Sequence, residues 1–348
     1  MAKQTNSIVG ANLVFARSSG RIQDSPLRAW FLRLTGALLC LGLALSGCEG
    51  RLADGFKIQD VHEHLSLKAD ADKLVAAMDA AGIQRMVLLG SYESMLLKKT
   101  DKDYPSALQD NQKILDAAKK RPDRFIPFVL LDLKMEDLAG LLEKYVSQGA
   151  KGVKLYNGHG TYRTGPADAP EMQPIYDYCE KNRLPVLIHM NVPKYPGELD
   201  HVLSAHPHMN VIAAHLLCMP DRPEEVGRML DQYPNLYADM SFGMEHYLVA
   251  SVRKISEKSD AWRKVITGHK DRILFGTDVC VTDQDYKTKD YLINEFLVFR
   301  KLLEFKHFRA DIPMNAIETT RIAIDGLHLD RDTLKAIYED NFKRIVEQ

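Results

Sequence analysis

The segment RFIPFVLLDLKMEDLAGLLEKYVSQGAKGVKLY, residues 124–156, contains one complete strand–helix–strand unit. Its ends, residues 124–131 and 151–156, are short and largely apolar, as expected of strands that are buried on both faces. The stretch between them, Met135–Ser147, places apolar residues along one face of a helix. This order of elements is typical of a parallel sheet that is covered by helices.

The same unit recurs along the chain. Strand-like segments begin 25 to 40 residues apart, close to the ~30 residues of one strand and its crossover helix. The eight segments are residues 56–61, 85–90, 124–131, 151–156, 184–189, 210–215, 236–241 and 272–278. Helices are predicted between them at Ala71–Ala81, Ala107–Lys120, Met135–Ser147, Pro174–Asn182 and Pro223–Gln232. Eight units in about 220 residues predict an α/β fold, a (β/α)8 or TIM barrel.

The region after the eighth segment predicts further helix. Tyr291–Phe305 and Arg331–Val346 have helical patterns, and Asp330 stands at the N-cap position of the second. A loop that contains Pro313 is predicted between them. We expect this C-terminal helical extension to pack on the barrel, so that residues 56–348 form a single domain.

The composition excludes several classes of protein. The chain has 348 residues, with 46 basic and 47 acidic side chains and 45% hydrophobic residues, which is typical of a globular protein. The near-neutral charge gives no support for a nucleic-acid partner. No glycine lies between Asp60 and Leu67, so the first strand is not followed by the Gly-rich phosphate loop of dinucleotide-binding proteins.

The first 47 residues have the pattern of a signal peptide. Residues 1–33 contain five basic residues and one acidic residue, and residues 34–47 form an uncharged run that is shorter than the about 20 residues of a membrane-spanning helix. The end of this run, Leu45-Ser46-Gly47-Cys48, resembles the bacterial lipoprotein signal, which implies cleavage before Cys48 and lipidation of Cys48. We therefore expect a leader (1–47), a short tether (48–55) and a lipid-anchored protein of the bacterial cell envelope that faces the periplasm or the exterior. A misassigned start codon and a buried apolar segment are the alternatives.

Titratable residues end several of the predicted strands. His62 and His64 lie on the same side of the first strand, because side chains alternate along a strand. His189 ends the fifth strand, His215 the sixth and Asp278 the eighth. We expect these five side chains to converge, because the carboxyl ends of barrel strands meet at the face that carries the active site. Imidazole and carboxylate ligands suit Zn²⁺, with Mn²⁺, Fe²⁺ and Co²⁺ as alternatives.

Each of these residues alone has a simpler interpretation as a buried histidine or an ion-paired aspartate. A second histidine pair, His206 and His208, precedes a strand, and we expect it in a surface loop. The shared position of the five residues at strand ends is what favours a metal site. Cys218 and Cys280 follow two of these positions and either line the site or pack as buried thiols. With Cys179 they form an odd, widely spaced set that does not indicate a disulfide framework.

The pattern of strand ends resembles the amidohydrolase superfamily. Asp-x-His-x-His ends the first strand, single histidines end the fifth and sixth, and Gly276-Thr277-Asp278 ends the eighth. The stretches GAKGVKLY, LPVLIH and IYEDNFKRIV add to the likeness. The resemblance covers Phe56–Val346 and is closest to the amidohydrolase-related branch, which contains metal-dependent hydrolases and several nonoxidative decarboxylases.

This resemblance implies one divalent metal, held by His62, His64, His189 and Asp278. It also implies that His215 polarises the substrate or moves a proton near the metal, while Asp278 is a ligand, a base or both in turn. Lys154 leaves an alternative open, because a fourth-strand lysine in other branches is carboxylated and bridges two metals. We favour a mononuclear site in which Lys154 is a cation that neutralises Asp278 or a substrate carboxylate.

Residues in and after the fourth strand, and one residue after the fifth, are candidates for binding the substrate. The candidates are Lys154, Tyr156, His159, Arg163 and Asn191. The loop after the fourth strand contains glycines and hydrogen-bond donors, which is typical of a mobile loop around a polar ligand. Arg163 in this loop is able to pair with a carboxylate through two hydrogen bonds, although a solvated arginine is the alternative.

Three functions are compatible with this pattern. The first is a metal-dependent hydrolase of a small amide, ester or lactone, with water activated on a divalent metal. The second is a metal-dependent decarboxylase or hydratase of an aromatic or unsaturated acid, and the third is a solute-binding lipoprotein without turnover. The sequence indicates no partners other than a small-molecule substrate and the membrane, and it leaves a homo-oligomer open.

Overall fold

The computed structural model describes residues 51–99 and 104–347, and its centre is a sheet of eight parallel strands. The strands follow each other around the sheet in chain order, and each is paired with the next one in the sequence. They are β1 (Ile58–Glu63), β2 (Ile83–Leu89), β3 (Phe125–Leu130), β4 (Gly152–Leu155), β5 (Val186–Ile188), β6 (Val211–Ala213), β7 (Leu236–Asp239) and β8 (Ile273–Leu274). All eight predicted strands are confirmed.

The last strand lies beside the first and closes the sheet into a barrel. The Val61 N–H donates to the Phe275 carbonyl (2.9 Å), and beyond β8 the Asp278 N–H donates to the His62 carbonyl (2.7 Å). A parallel bridge between Leu65 and Val281 extends this contact. The fold is therefore the predicted TIM barrel.

Helices lie between the strands and after the barrel. They are α1 (Ala71–Ala81), α2 (Glu93–Leu96), α3 (Tyr104–Lys120), α4 (Leu138–Ser147), α5 (Gln173–Lys181), α6 (Glu198–Ala205), α7 (Pro223–Gln232), α8 (Glu245–Glu257), α9 (Ser259–Gly268), α10 (Lys289–Glu304), α11 (Arg331–Lys335) and α12 (Asn341–Val346). The first of them begins and ends as predicted, because Asp70 caps its amino end by accepting from the Asp72 N–H and Gly82 ends it in the left-handed conformation.

The C-terminal helix closes one end of the barrel. Phe342 and Ile345 of α12 pack against the inward-facing side chains of the strands, including Phe128 and Ile212. Asn341 donates to the carbonyl of Ile273 at the start of β8 (2.7 Å), which places α12 at the amino ends of the strands. The carboxyl ends of the strands form the opposite face, which carries the candidate site.

The predicted loop around Pro313 was wrong. His307–Pro313 and Thr319–Asp325 form an antiparallel hairpin, β9 and β10, and Pro313 is the last residue of β9. Alternate residues on both strands are buried, such as Phe308 and Ile312 on β9 and Ile322 on β10. This period of two is typical of a half-buried strand, and the sequence interpretation overlooked it.

Part of the predicted tether is described, and it contacts the barrel domain. The Ala53 N–H donates to Glu304 (2.5 Å), and Arg300 of α10 donates to the Ala53 carbonyl (2.9 Å). The predicted leader (1–47) and Cys48 lie outside the described residues. Among the helices in the described ranges, we find none with the length and apolar character of a membrane span.

Candidate metal centre

Three of the predicted ligands come together where β1 and β8 end. The distance between His64 Nε2 and Asp278 Oδ1 is 3.4 Å, and that between His62 Nε2 and Asp278 Oδ1 is 3.7 Å. Two ligand atoms bound to Zn²⁺ at 2.0–2.1 Å in tetrahedral geometry are about 3.4 Å apart. The spacing of these three side chains therefore fits a small divalent cation.

Hydrogen bonds orient both imidazoles of this group. His62 Nδ1 lies 2.7 Å from Asp239 Oδ2, and His64 Nδ1 lies 3.1 Å from the Leu89 carbonyl oxygen. Because both partners are acceptors, each Nδ1 carries the proton and donates it. The lone pair of each Nε2 is then directed into the site, which is the arrangement that metal-ligating histidines have in proteins.

His189 lies beside this group and closest to another histidine. Its Nδ1 is 3.1 Å from His215 Nε2, and its Nε2 is 3.8 Å from Cys218 Sγ. Two compact groups of possible ligands occur in the described residues, one of His62, His64 and Asp278 and one of His62, His215 and Asp239, and neither contains His189. The assignment of His189 as a fourth ligand stays a prediction.

His215 begins a left-handed turn after β6. Its φ is +59°, and the next three residues also have left-handed conformations. The His215 backbone N–H donates to Asp239 Oδ1 (2.9 Å), and its Nδ1–H donates to the Ser241 carbonyl (2.8 Å). These bonds hold the ring with Nε2 directed at the site, 3.8 Å from Asp278 Oδ2.

Asp239 and Ser241 are part of the site, and the sequence analysis did not name them. Asp239 contacts both His62 and the backbone of His215, and Ser241 Oγ donates to Asp239 Oδ1 (2.6 Å). A weak signal was available, because Asp239 is an acidic residue in the second half of the predicted seventh segment, 236–241, and the structure ends β7 at this residue.

Burial changes the protonation equilibria of the site. Lys154 Nζ lies 3.2 Å from His62 Nε2, and burial lowers the pKa of Lys154. Burial raises the pKa of Asp278. A divalent cation nearby would lower this pKa again, because it favours the charged carboxylate. Burial also lowers the pKa of His215 to about 4, so its imidazole is neutral at pH 7.

A cavity of about 330 Å³ opens directly over these side chains. Its walls combine aromatic, sulfur-bearing and amide side chains. The lining includes Met95, Lys154, Tyr156, His159, His189, Asn191, Cys218, Met244, Tyr247 and Cys280. A larger groove of about 840 Å³ lies near Phe125 and Val346, and no histidine or cysteine is among its lining residues. The smaller cavity is therefore the candidate active site.

The structure brings four of the five predicted substrate-binding residues to this cavity. Lys154, Tyr156, His159 and Asn191 line it, whereas Arg163 does not. The Arg163 guanidinium donates to both carboxylate oxygens of Glu198 (2.9 and 2.7 Å) and stacks over a tyrosine ring. Its charge is thus neutralised within the protein, which the sequence could not indicate because Glu198 is distant in the chain.

Two other expectations concern histidines and cysteines. His206 is buried and contacts Gln173 Oε1 (3.0 Å), in contrast to the expected surface loop, whereas its neighbour His208 is exposed. Cys218 and Cys280 line the cavity. Cys179 is buried on α5.

A family model described as Amidohydrolase matches residues 59–346. No match was found among the curated proteins.

Solved structures share the architecture at low sequence identity. An uncharacterized TIM-barrel protein from Bordetella bronchiseptica has a TM-score of 0.58 and 18% identity, with 83% of this chain and 98% of that chain covered. A putative 2-pyrone-4,6-dicarboxylic acid hydrolase from Pseudomonas putida has a TM-score of 0.55 and 14% identity, with 84% and 98% covered. A 2,6-dihydroxybenzoate decarboxylase in complex with 2,6-dihydroxybenzoate has a TM-score of 0.50 and 18% identity, with 84% and 100% covered. At these identities the likeness shows the fold alone.

Proposed function

We propose a hydrolytic function for this chain, which belongs to the amidohydrolase family. The substrate would be a small molecule with an amide, ester or lactone bond. The observation that carries this proposal is the group of His62, His64 and Asp278, whose ligand atoms face a cavity that also contains the Nε2 of a neutral His215. A metal site next to a proton acceptor is the minimum arrangement for metal-assisted hydrolysis.

The residues have separate roles in this proposal. His62, His64 and Asp278 would hold the ion, with His189 as the further candidate ligand, and the mixture of imidazole and carboxylate favours Zn²⁺ over harder cations. A divalent metal bound there lowers the pKa of water and polarises a carbonyl group. His215 would accept or donate the proton, since its Nδ1 is occupied by the Ser241 carbonyl and its Nε2 is directed at the site.

The substrate would be oriented by donors on the cavity wall. Asn191 accepts the Lys194 N–H through Oδ1, so its amide NH₂ is the group able to donate to a ligand. Lys154 is fully buried at the cavity floor and would neutralise Asp278 or pair with an anionic oxygen of the substrate. We propose a mononuclear site in which Lys154 is not a metal ligand.

A second candidate function is decarboxylation or hydration of an aromatic or unsaturated acid. The Lys154 ammonium beside the predicted ligands is able to pair with a substrate carboxylate, which favours this candidate. The product separates these functions. Hydrolysis of an ester or lactone yields a new carboxylate and a proton, and hydrolysis of an amide yields a carboxylate and an amine that takes up the proton. Decarboxylation yields carbon dioxide, and hydration adds water to the substrate without releasing a fragment.

We expect the purified full chain to bind about one Zn²⁺ and to hydrolyse a member of a panel of lactones, esters and amides. Metal content is measured by elemental analysis, acid release from lactones and esters by titration at constant pH, amine release from amides by a colorimetric amine assay, and carbon dioxide by trapping. Carbon dioxide release from hydroxybenzoic acids without hydrolysis of the panel would establish the second candidate instead. A chain that binds no metal even after reconstitution would contradict both, and would favour the solute-binding lipoprotein.

We also propose that the protein is anchored to a membrane of the bacterial cell envelope through a lipid on Cys48. The support is the sequence Leu45-Ser46-Gly47-Cys48 after a basic and then apolar leader. Replacement of Cys48 with serine should move the protein from the membrane fraction to the soluble fraction of a bacterial host, as followed by immunoblot. Replacement of Cys179 with serine is the control and should leave the distribution unchanged. If the Cys48→Ser protein stays in the membrane fraction, the lipid anchor is wrong.

A further inference from the structure

The loop that carries Asp278 has an unusual backbone. Asp278 and Cys280 have φ values of +57° and +59°, a conformation that L side chains rarely adopt. Gly243 on the neighbouring loop allows the carboxylate to approach, because a Cβ at this position would lie 2.2 Å from Asp278 Oδ2. A conformation of this kind persists only where the surrounding structure determines it strongly.

A buried carboxylate binds the N–H groups of this loop. Glu63, the last residue of β1, lies between His62 and His64 in the sequence and is fully buried. Its Oε1 accepts from the Cys280 N–H (2.8 Å), and its Oε2 accepts from the Val279 N–H (3.2 Å). The same Oε1 also accepts from the His64 N–H (2.8 Å), so one carboxylate joins the backbones of both halves of the candidate metal site.

A buried ammonium group binds the carbonyl groups of the same two residues. Lys287 Nζ donates to the Val279 carbonyl (2.7 Å) and to the Cys280 carbonyl (2.8 Å). Lys287 is almost fully buried, with 1% of its surface exposed. Glu63 and Lys287 together provide partners for the backbone N–H and C=O groups of Val279 and Cys280. Buried backbone groups need such partners.

We infer that Glu63 and Lys287 are positioning residues that fix the turn around Asp278 and so set its carboxylate for metal binding. The inference rests on the proposed function, because it takes Asp278 as a ligand. Lys287 Nζ also lies 3.7 Å from Glu245 Oε1. Removing a buried charge leaves the charges around it uncompensated, and it also frees backbone groups of Val279 and Cys280, so loss of Glu63 or Lys287 should release the turn. Neither residue contacts a substrate in the cavity, because neither is among its lining residues.

The barrel fold alone does not explain why a buried glutamate and a buried lysine bind the turn after Asp278. Buried charges contribute little net stability relative to apolar residues of similar size, and their best-supported role is to specify one geometry. Here that geometry is the left-handed turn next to a predicted ligand. A residue that holds a ligand in place typically changes metal affinity by 10- to 100-fold when it is replaced.

We expect Lys287→Met to weaken Zn²⁺ binding by roughly 10- to 100-fold in the full chain, as measured by competition with a chromophoric chelator. Glu63→Gln should give a loss in the same range, because the amide nitrogen replaces one of the two oxygens that together accept three backbone N–H groups, and this nitrogen accepts none. The melting temperature of the metal-free protein is measured alongside, since a residue with only a structural role would lower it without changing affinity. Lys287→Arg, which keeps a charged donor, should recover part of the affinity.

Arg300→Met is the matched control. Arg300 is also a buried cation that donates to two backbone carbonyls, those of Ala53 and Ala81 (2.9 and 3.0 Å), and it is absent from the cavity lining. This variant should lower the melting temperature and leave the Zn²⁺ dissociation constant within about twofold of the parent value, since a tenfold change would require a 1.4 kcal/mol effect on the site.

The inference is wrong if Glu63→Gln and the folded Lys287 variants all bind Zn²⁺ with the affinity of the parent while His62→Ala loses the metal. If His62→Ala also keeps its Zn²⁺, the proposed function is what fails. If Lys287→Met does not fold, Glu63→Gln and Lys287→Arg decide the question by the same affinity measurement.

Discussion

The His62→Ala protein should contain no stoichiometric metal and should lose at least about 10³-fold in hydrolytic turnover. The metal contributes several kcal/mol to the transition state of a metal-assisted hydrolysis, and each 1.36 kcal/mol is a factor of ten in rate. His62 is suited to this test because its Nε2 is directed at Asp278 while its Nδ1 is held by Asp239.

Thermal stability gives a second measurement of the same loss. Zn²⁺ binds only the folded state, so a concentration one hundred times its dissociation constant should stabilise the parent protein by about 2.7 kcal/mol. We expect this increase in melting temperature to be absent in His62→Ala. The variant His206→Ala is the control, because His206 is also buried but lies outside the cavity. It should lose stability while its metal content and its response to Zn²⁺ stay like those of the parent. Metal content like that of the parent in His62→Ala would refute the ligand assignment.

The barrel was predictable because its signals are local. Apolar runs such as 124–131 and 184–189 depend on neighbouring residues only, and each unit repeats the same order of strand and helix. The hairpin of β9 and β10 had a local signal too, in the alternation of Phe308, Ala310 and Ile312, but the proline nearby favoured a loop. The positions of His62, His64 and Asp278 were predictable for a different reason: strand ends meet at one face in any parallel barrel.

The partners of these residues could not be predicted in the same way. The hydrogen bonds from His62 to Asp239 and from Arg163 to Glu198 join positions that the sequence does not relate to each other. One of these contacts adds Asp239 to the site, and the other removes Arg163 from the cavity. The sequence leaves the role of Lys287 undecided, since its hydrogen bonds to the carbonyl groups of Val279 and Cys280 depend on the tertiary fold. The sequence shows which chemical group a side chain carries, whereas tertiary contacts determine whether that group is free to bind a ligand.

Replacement of His215 with glutamine should separate metal binding from proton transfer. Burial lowers the pKa of His215 to about 4, so near pH 7 the parent imidazole is a neutral group that is able to accept a proton. Glutamine keeps an amide of similar reach that forms hydrogen bonds but does not act as a base at this pH. General acid–base catalysis typically contributes 10²- to 10⁴-fold, and we expect kcat to fall by about that factor.

The metal content of His215→Gln distinguishes the possible roles of this residue. If His215 transfers a proton, the variant should keep about one Zn²⁺ per chain, as measured by elemental analysis, while its kcat falls. If the variant loses both the metal and its activity, His215 is a ligand. The metal would then be held by the second compact group, which consists of His62, His215 and Asp239. Full activity with the metal retained would contradict any catalytic role of His215, and His206→Gln gives the baseline for this substitution at a buried histidine outside the cavity. The backbone N–H of residue 215 still donates to Asp239 after the substitution, so we expect the turn to survive and the loss to be confined to the proton transfer.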